Sequence, residues 1–511
     1  MDYQKVVDRL TRSMPDRGKL EAIGKAATIG IATYIVTKKL YDAYLGPLYH
    51  VPSPFYAKFF TISKASLNKP FGTIYAKYMT FNDKYGSVVK LGPSSLLISD
   101  KTMLKQVLQQ EDLEKGPMYD LLQRDGAASL LITRDKGMHK RLRLLISPAF
   151  SLEYLDSLEE HILNVLNNTM LKIEGLTAEH PQEGADVDIW KLLQHNALDI
   201  IGDCAFGKSF DTIKSDYHPV TDSIMMELRW ASWIIAHPFL TKLLTLGQPV
   251  NMNPIIKEFM ANSINARIQS GERRNDILQI LLDTQESKDP EDRLSDIAIM
   301  NEAVMFLIAG SETISNTLGF AVIELLRHPH AMKKLQEEID GLDFADQNRQ
   351  LFCHTQLKQL PYLDAVLNET MRINPVPAAG LERVAEKDFT LAGKLHVPKG
   401  TELICNVYHA QMDENYWPNA CSFEPERWLP GNETRRDLEA FFPFGIGSRN
   451  CIGENFAWMQ MRLVLATLIR RFDLTPLAME MEQAKEVRHF ITITILNNSF
   501  SVVAHPRQQA N

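Results

Sequence analysis

The stretch from 294 to 327 repeats its apolar residues at helical spacing without a break, unusually long for a helix in a globular protein. Ser295 is placed to cap its start, and "RHPH" stops it at Pro329, because proline cannot continue a helix. From about residue 150 onward the same period dominates, and further helices are expected over 152–175, 187–203, 252–270, 356–373 and 454–471. Strand-like text is confined to short pieces. "GSVVKLGPSSLLISD" reads as two β runs about a Gly-Pro turn; "FTLAGKLHVPKGTELICN" is a second region, and "ITITI" with "FSVVA" about Asn497-Asn498 a third. The chain's 511 residues alone would suggest about three domains. Its prolines and glycines are scattered, however, with no Ser/Gly-rich linker, repeat or low-complexity tract. One large body is therefore expected, mainly α with small β-sheets at its edges, and the 45% hydrophobic content is ample for its core.

A net charge of −8 argues against a nucleic-acid partner, since neutralising phosphates takes a clustered basic excess. The five cysteines, Cys204, Cys353, Cys405, Cys421 and Cys451, are odd in number and contain no CxxC pair. That pattern suggests neither a disulfide framework nor a zinc site, and reduced thiols facing a cytosol fit best. "GDCAFGKS" at 202–209 matches the phosphate-cradling pattern GxxxxGK[ST], but helical text precedes it and no apolar helical face follows, so nucleotide binding is not expected. Near the N-terminus, "AATIGIATYIV" at 26–36 is apolar but 11 residues long, against the ~20 a span needs. Lysines flank both sides, so the positive-inside rule gives no orientation. A terminal helix packed on the body is one reading. A membrane anchor is favoured, because the run stands apart from the body and "GPLYHVPSP" follows it.

"FGIGSRNCIGEN", residues 444–455, concentrates chemistry. Cys451 lies within a turn of an apolar helix pattern, where free N–H groups and the helix dipole favour thiolate over thiol. Gly445, Gly447 and Gly453 let backbone approach a flat ligand, and Arg449 could pair with an anionic group on it. A buried structural cysteine beside a glycine turn explains the spacing about as well.

The loop resembles the haem-binding segment of the cytochrome P-450 family, the haem-thiolate monooxygenases. The family pattern Phe-x-x-Gly-x-Arg-x-Cys-x-Gly is met without departure by Phe444, Gly447, Arg449, Cys451 and Gly453. The resemblance runs from roughly residue 45 to the C-terminus. It implies Cys451 as axial ligand to the iron of haem b, a thiolate that pushes electron density onto the metal. In the family the Glu-x-x-Arg pair of "NETMR", Glu369 and Arg372, is buried and tied to the arginine of a Pro-Glu-Arg segment, here Arg427; taken alone, the pair reads as a surface ion pair. "AGSETIS" resembles the oxygen-activation motif, with Ala309, Gly310, Glu312 and Thr313 matching and Ile314 departing where a second Ser or Thr is frequent. Packing does not readily explain a glycine there, which costs roughly 1 kcal/mol against alanine. Thr313 is expected to bond back to the carbonyl at 309, leaving a groove suited to dioxygen and proton delivery. His139 and Arg143 share a face in "GMHKRLRLLISPAF"; a solvated basic face is the plainer reading, while the family implies donors to a haem propionate. Arg383 of "LERVAEKD" and Arg449 would complete that cationic set.

The resemblance implies a eukaryotic, membrane-anchored monooxygenase: residues 1–45 a tail with the anchor, 46–511 the catalytic domain on the cytosolic face of the endoplasmic reticulum. It would insert one atom of dioxygen into a lipophilic small molecule, with a steroid or similar lipid favoured. "GIGSRNCIG" fails the dinucleotide pattern GxGxxG at Asn450, so electrons are expected from a separate NADPH-dependent flavoprotein reductase. Two rivals remain: a non-catalytic haem sensor or carrier, which would need no Glu312–Thr313 pair, and a haem enzyme that rearranges peroxides without a reductase.

Overall fold

The computed structural model describes residues 17–507 apart from 128, 216 and 275, with side chains from residue 21. Its axis is the long helix Asp296–Arg327, whose first turn is capped by Ser295 Oγ accepting from the Ala298 N–H at 3.2 Å. The apolar residues run round more than one face, so neighbours bury it on several sides: helix Ile189–Phe206 packs along it most extensively, with Pro254–Ser270, Pro361–Ile373 and Glu454–Arg471 completing the cage. The close approach to Ile189–Phe206 depends on small residues. A Cβ on Gly319 would stand 2.5 Å from the Trp190 ring. Among the described residues Asp296–Arg327 is the one helix long and apolar enough to cross a membrane, and it is largely buried in protein. The N-terminal helix Arg17–Tyr44 is 28 residues long but less apolar, because Lys25, Lys38, Lys39 and Asp42 interrupt it. Ile29, Ile31 and Val36 lie exposed on it, and its end is tied to the body by Lys39 donating to the Phe59 carbonyl at 2.8 Å.

Helix 356–373 of the sequence reading is two helices, His354–Leu357 and Pro361–Ile373, because Pro361 can start a helix but not continue one. The largest sheet has five strands in the order Val88–Gly92, Ser95–Ile98, Glu402–Cys405, Leu381–Val384, Glu114–Lys115. "ITITI" and "FSVVA" enter different sheets instead of facing each other. Thr492–Ile495 pairs with Val487–Phe490, and Ser501–Pro506 lies between Ala185–Asp188 and Phe472–Pro476. The split occurs at Asn498, a left-handed residue (φ 50°) whose side chain accepts from Trp190 Nε1 at 3.1 Å and Gln194 Nε2 at 3.0 Å. "GDCAFGKS" is the C-terminal end of helix Ile189–Phe206, closed by Gly207 at φ 68°, the opposite polarity to a phosphate cradle.

Glu369, Arg372 and Arg427 are all fully buried. The carboxylate accepts from Arg372 Nε at 2.9 Å and Nη2 at 2.8 Å, from Arg427 Nε at 3.0 Å, from the Glu424 N–H at 2.9 Å and from Trp428 Nε1 at 2.9 Å. The second positive charge is spread over carbonyls: Arg372 donates to Gln411 O at 2.8 Å, and Arg427 to Pro418 O at 3.0 Å and Arg435 O at 3.1 Å. Gln411 passes the order on. It donates to the carbonyls of Met371 and Arg372, and its Oε1 accepts from the Phe442 N–H at 3.0 Å, two residues before the glycine loop begins. The surface-pair reading of Glu369 and Arg372 is thus excluded. Glu369→Ala would strand two arginines in the core and is expected to cost about 3–5 kcal/mol; thermal unfolding and soluble yield measure it, and a melting temperature within a degree of wild type would refute this account.

Candidate active site

The loop that carries Cys451 is a tight backbone construction. The Cys451 N–H donates to Phe444 O at 2.8 Å and the Asn450 N–H to Gly447 O at 3.2 Å. Gly445 (φ 69°) and Gly447 (φ 81°) occupy the left-handed region that side chains resist, and a Cβ on Gly447 would overlap the Leu108 carbonyl. One arginine from outside the loop and one within it tie it to its surroundings. Arg143 donates to Asn450 O and to Asn450 Oδ1, both at 2.7 Å; Arg449 donates to the carbonyls of Thr133 and Arg134, both at 2.7 Å. Gly453 then serves as N-cap of helix Glu454–Arg471.

Cys451 is exposed to a chamber of about 570 Å³ and is otherwise packed round by protein. Burial pushes its thiol above the ordinary value, while the Gly453 N–H and the Arg143 guanidinium pull the other way. The helix end thus favours the thiolate against the cost of burial, and a bound metal ion would deprotonate a coordinating thiol outright.

Ala309, Gly310, Thr313 and Ile314 line the same chamber. Thr313 Oγ1 donates to Ala309 O at 2.8 Å and Thr317 Oγ1 to Thr313 O at 2.8 Å. Gly310, hard to explain by packing from sequence, has a packing reason after all: a Cβ there would meet Ile201 Cδ1 at 2.7 Å. Glu312 does not line the chamber. Its carboxyl is buried on the next face of the helix, pushed up to about 7 by desolvation against a hydrogen bond to Asn316.

His139, Arg143, Arg383 and Arg449 all line the chamber, and so do Lys115, Lys64 and Arg124, which sequence reasoning did not single out. Lys140 and Arg141 of the same helix, Lys136–Ile146, face solvent. Lys115 is brought in by strand pairing, directly opposite Arg383, where like charges repel. Burial, then Arg449 and Arg383, hold its ammonium well below the usual range. Burial, then Arg449, Lys115 and Arg143, hold His139 down to about 4. Desolvation lowers Arg143 and Arg449 as well. Glu382 also lines the chamber, but its carboxylate is engaged by Lys64. Such a concentration of buried basic groups favours bound anions, and it fits the two carboxylates of haem b, with the Cys451 thiol in the same chamber.

Fold, thiol and cation set together define a haem-thiolate oxygenase. A family model described as Cytochrome P450 matches residues 52–502, and the chain belongs to that family. It is a haem-thiolate monooxygenase whose cofactor is haem iron with a thiolate ligand, supplied with electrons by a reductase. Similar proteins include the cytochrome P450 monooxygenase acrD of Aspergillus aculeatus, 35% identical over 76% of this chain and 78% of its own. The cytochrome P450 monooxygenase FUS8 of Gibberella moniliformis is 29% identical over 91% of both chains. Lithocholate 6-beta-hydroxylase of Mesocricetus auratus is 31% identical over 79% of this chain and 80% of its own.

Gly431 has nearly the same backbone angle as Gly447 (φ 86° against 81°) but open space around its Cβ position. Gly447→Ala is therefore expected to lower the melting temperature and haem content, whereas Gly431→Ala costs only the left-handed conformation, about 1–2 kcal/mol. Equal losses in the two variants would show that the Leu108 contact is irrelevant.

Proposed function

We propose that this monooxygenase hydroxylates a lipophilic small molecule, a steroid or similar lipid, with dioxygen and with electrons from a separate NADPH-dependent flavoprotein reductase. The observation that carries the reading is the chamber itself, mainly apolar in its wall and bounded by Cys451 on one side and Thr313 on another. A relative is named for hydroxylating lithocholate, which supports a substrate of that size and character.

In this reading Cys451 Sγ holds the iron, and Phe444, Gly447 and Gly453 shape the loop that presents it. Arg449, Arg143, Arg383 and His139, together with Lys115, hold the haem carboxylates. His139, neutral at pH 7 beside so many cations, takes part as a hydrogen-bond donor. Bound haem supplies the activation of dioxygen, one atom of which enters a substrate C–H bond while the other leaves as water. The chain supplies protons and dryness. Thr313 Oγ1 keeps a proton at the chamber wall, parked on the Ala309 carbonyl, and rotation about χ1 turns it inward. Glu312, titrating near neutrality one residue back, is suited to recharge that hydroxyl through a water. Ala309 supplies the carbonyl that holds the hydroxyl, and Gly310 lets Ile201 pack against the helix beside it. Glu369, Arg372 and Arg427 act at a distance, by fixing the scaffold under the loop.

The same reading takes residues 1–45 as the membrane segment and 46–511 as the catalytic domain, on the cytosolic face of the endoplasmic reticulum. The exposed apolar residues of Arg17–Tyr44 support it. Removing residues 1–45 is expected to shift the protein from the membrane pellet toward the supernatant with its haem retained. A full-length protein already soluble without detergent would refute the anchor.

Reduced protein with carbon monoxide should show the absorbance band of thiolate-ligated haem, and Cys451→Ala should lose it. Product formation should require NADPH and reductase; turnover of a peroxide without them would instead favour the rearranging rival. Thr313→Ala should keep haem and substrate binding yet lose about 10²–10⁴-fold in product rate, releasing more hydrogen peroxide for each NADPH consumed. An unchanged ratio of product to NADPH would remove Thr313 from the reaction.

A further inference from the structure

One buried acid of the long helix stands outside the chemistry described above. Glu302 is 1% exposed and does not line the chamber. Its Oε1 accepts from the Leu130 N–H at 2.7 Å, and its Oε2, equally buried, has no partner among the described residues. An ionised carboxylate so placed would hold a full charge on one neutral donor, which burial makes costly, so the neutral acid is the form that fits. The charged groups of the neighbouring elements are engaged elsewhere. Arg134 donates to Asp120 at 2.7 Å. On helix Lys136–Ile146, Lys136 and Arg141 pair with Glu386 and Glu291, while His139 and Arg143 line the chamber. Asp283 of helix Ile277–Asp283 pairs with Arg273, Arg267 of helix Pro254–Ser270 with Asp276, and Asp199 of helix Ile189–Phe206 accepts from the Thr212 and Ile213 N–H groups. Glu312, the next acid on the same helix, lies about 15 Å along the axis. Burial accordingly pushes the Glu302 carboxyl up to about 8, opposed by the Leu130 N–H alone.

Leu130 gives this acid its reach. The turn 129–134 closes on itself, the Ile132 and Thr133 N–H groups donating to Ser129 O at 3.0 Å and 2.8 Å. Its other carbonyls serve the basic cluster. Lys115 Nζ donates to Leu131 O, and Arg449 donates to Thr133 O and Arg134 O, both at 2.7 Å. Arg134 Nε returns a bond to Lys115 O at 2.9 Å. Displacing the turn therefore displaces two of the bases that line the chamber. We propose that neutral Glu302 is a positioning residue that ties the turn 129–134, and through it Lys115 and Arg449, to the long helix, and that its ionisation loosens all three. The inference rests on the reading of Lys115 and Arg449 as holders of the haem carboxylates. The direction with pH follows from the two states of the turn. In acid both the held and the loosened turn carry a protonated Glu302, and the hold is complete. As pH rises through the ordinary carboxyl range the loosened, hydrated group ionises first, and the hold weakens until the buried group ionises as well, near 8. Above that the hold weakens no further.

The test follows haem transfer from full-length, haem-loaded protein to excess apomyoglobin across pH. Wild type is expected to lose haem at least about tenfold faster at about pH 8 than at about pH 6, with the rise levelling beyond. Glu302→Gln keeps an acceptor for the Leu130 N–H and cannot ionise, so its transfer is expected to stay slow and flat over that range. Glu302→Leu, which cannot ionise either but leaves the N–H unpaired, is expected to be faster and equally flat; it decides the matter should Glu302→Gln fold poorly. A flat wild-type profile would overturn the proposal, and so would a variant whose profile rises as wild type's does. The infrared difference between wild type and Glu302→Gln should contain a carboxylic-acid C=O band that fades as pH rises over the same range; its absence in acid would overturn the neutral form. Lys115→Met is expected to speed haem transfer at every pH. An unchanged rate there would strike the reading of Lys115 as a carboxylate holder, and with it the last link of the proposal, while the infrared band still reports the first.

Discussion

A single buried carboxylate organises the ground on which the site stands. Glu369 accepts from two fully buried arginines, a backbone N–H and an indole N–H. A charge so placed tolerates no vacancy among its partners, and the partners bring in segments far apart in sequence: helix Pro361–Ile373, the turn Pro425–Trp428 and, through Gln411, the Phe442 backbone. The loop bearing Cys451 begins from a rigid edge because of it. Buried ion pairs contribute little net stability against apolar packing of the same shape, so specificity of arrangement is the better account of this one.

Electrostatic imbalance marks the chamber as firmly as its shape does. The trio under the loop is closed, every lone pair of Glu369 matched by a donor. The basic groups lining the chamber lean on carbonyls instead: Lys115 faces Arg383 across a strand pair, and burial together with neighbouring cations holds His139 neutral. A protein retains such repulsion where a bound anion relieves it, and haem carboxylates do so.

Much of this was legible in the chain because it is local. The 296–327 helix, its Ser295 cap and its stop at Pro329 follow from a period and two boundary residues. The back-bond from Thr313 to Ala309 follows from i−4 geometry. The glycines at 445 and 447 announced a loop that side chains could not form. The ten-residue cysteine pattern carried the family. Other features carried no local signal. Nothing in "EKGPMY" points to Lys115, which reaches the chamber only through its register with Arg383. Gly310 looked functional until Ile201, more than a hundred residues earlier, was seen against it.

By itself, then, the sequence determined the class of fold, the residues able to ligate iron and the positions of the helices, since periodicity, capping and turn chemistry act between neighbours in the chain. Only tertiary structure decided which strand each late β run joined, that Glu369 and Arg372 are core and not surface, and that Glu312 faces away from the chamber while Thr313 faces into it. The reason is the same in each case: desolvation and charge–charge coupling depend on distances set by packing, and residues far apart in the chain supply the partners.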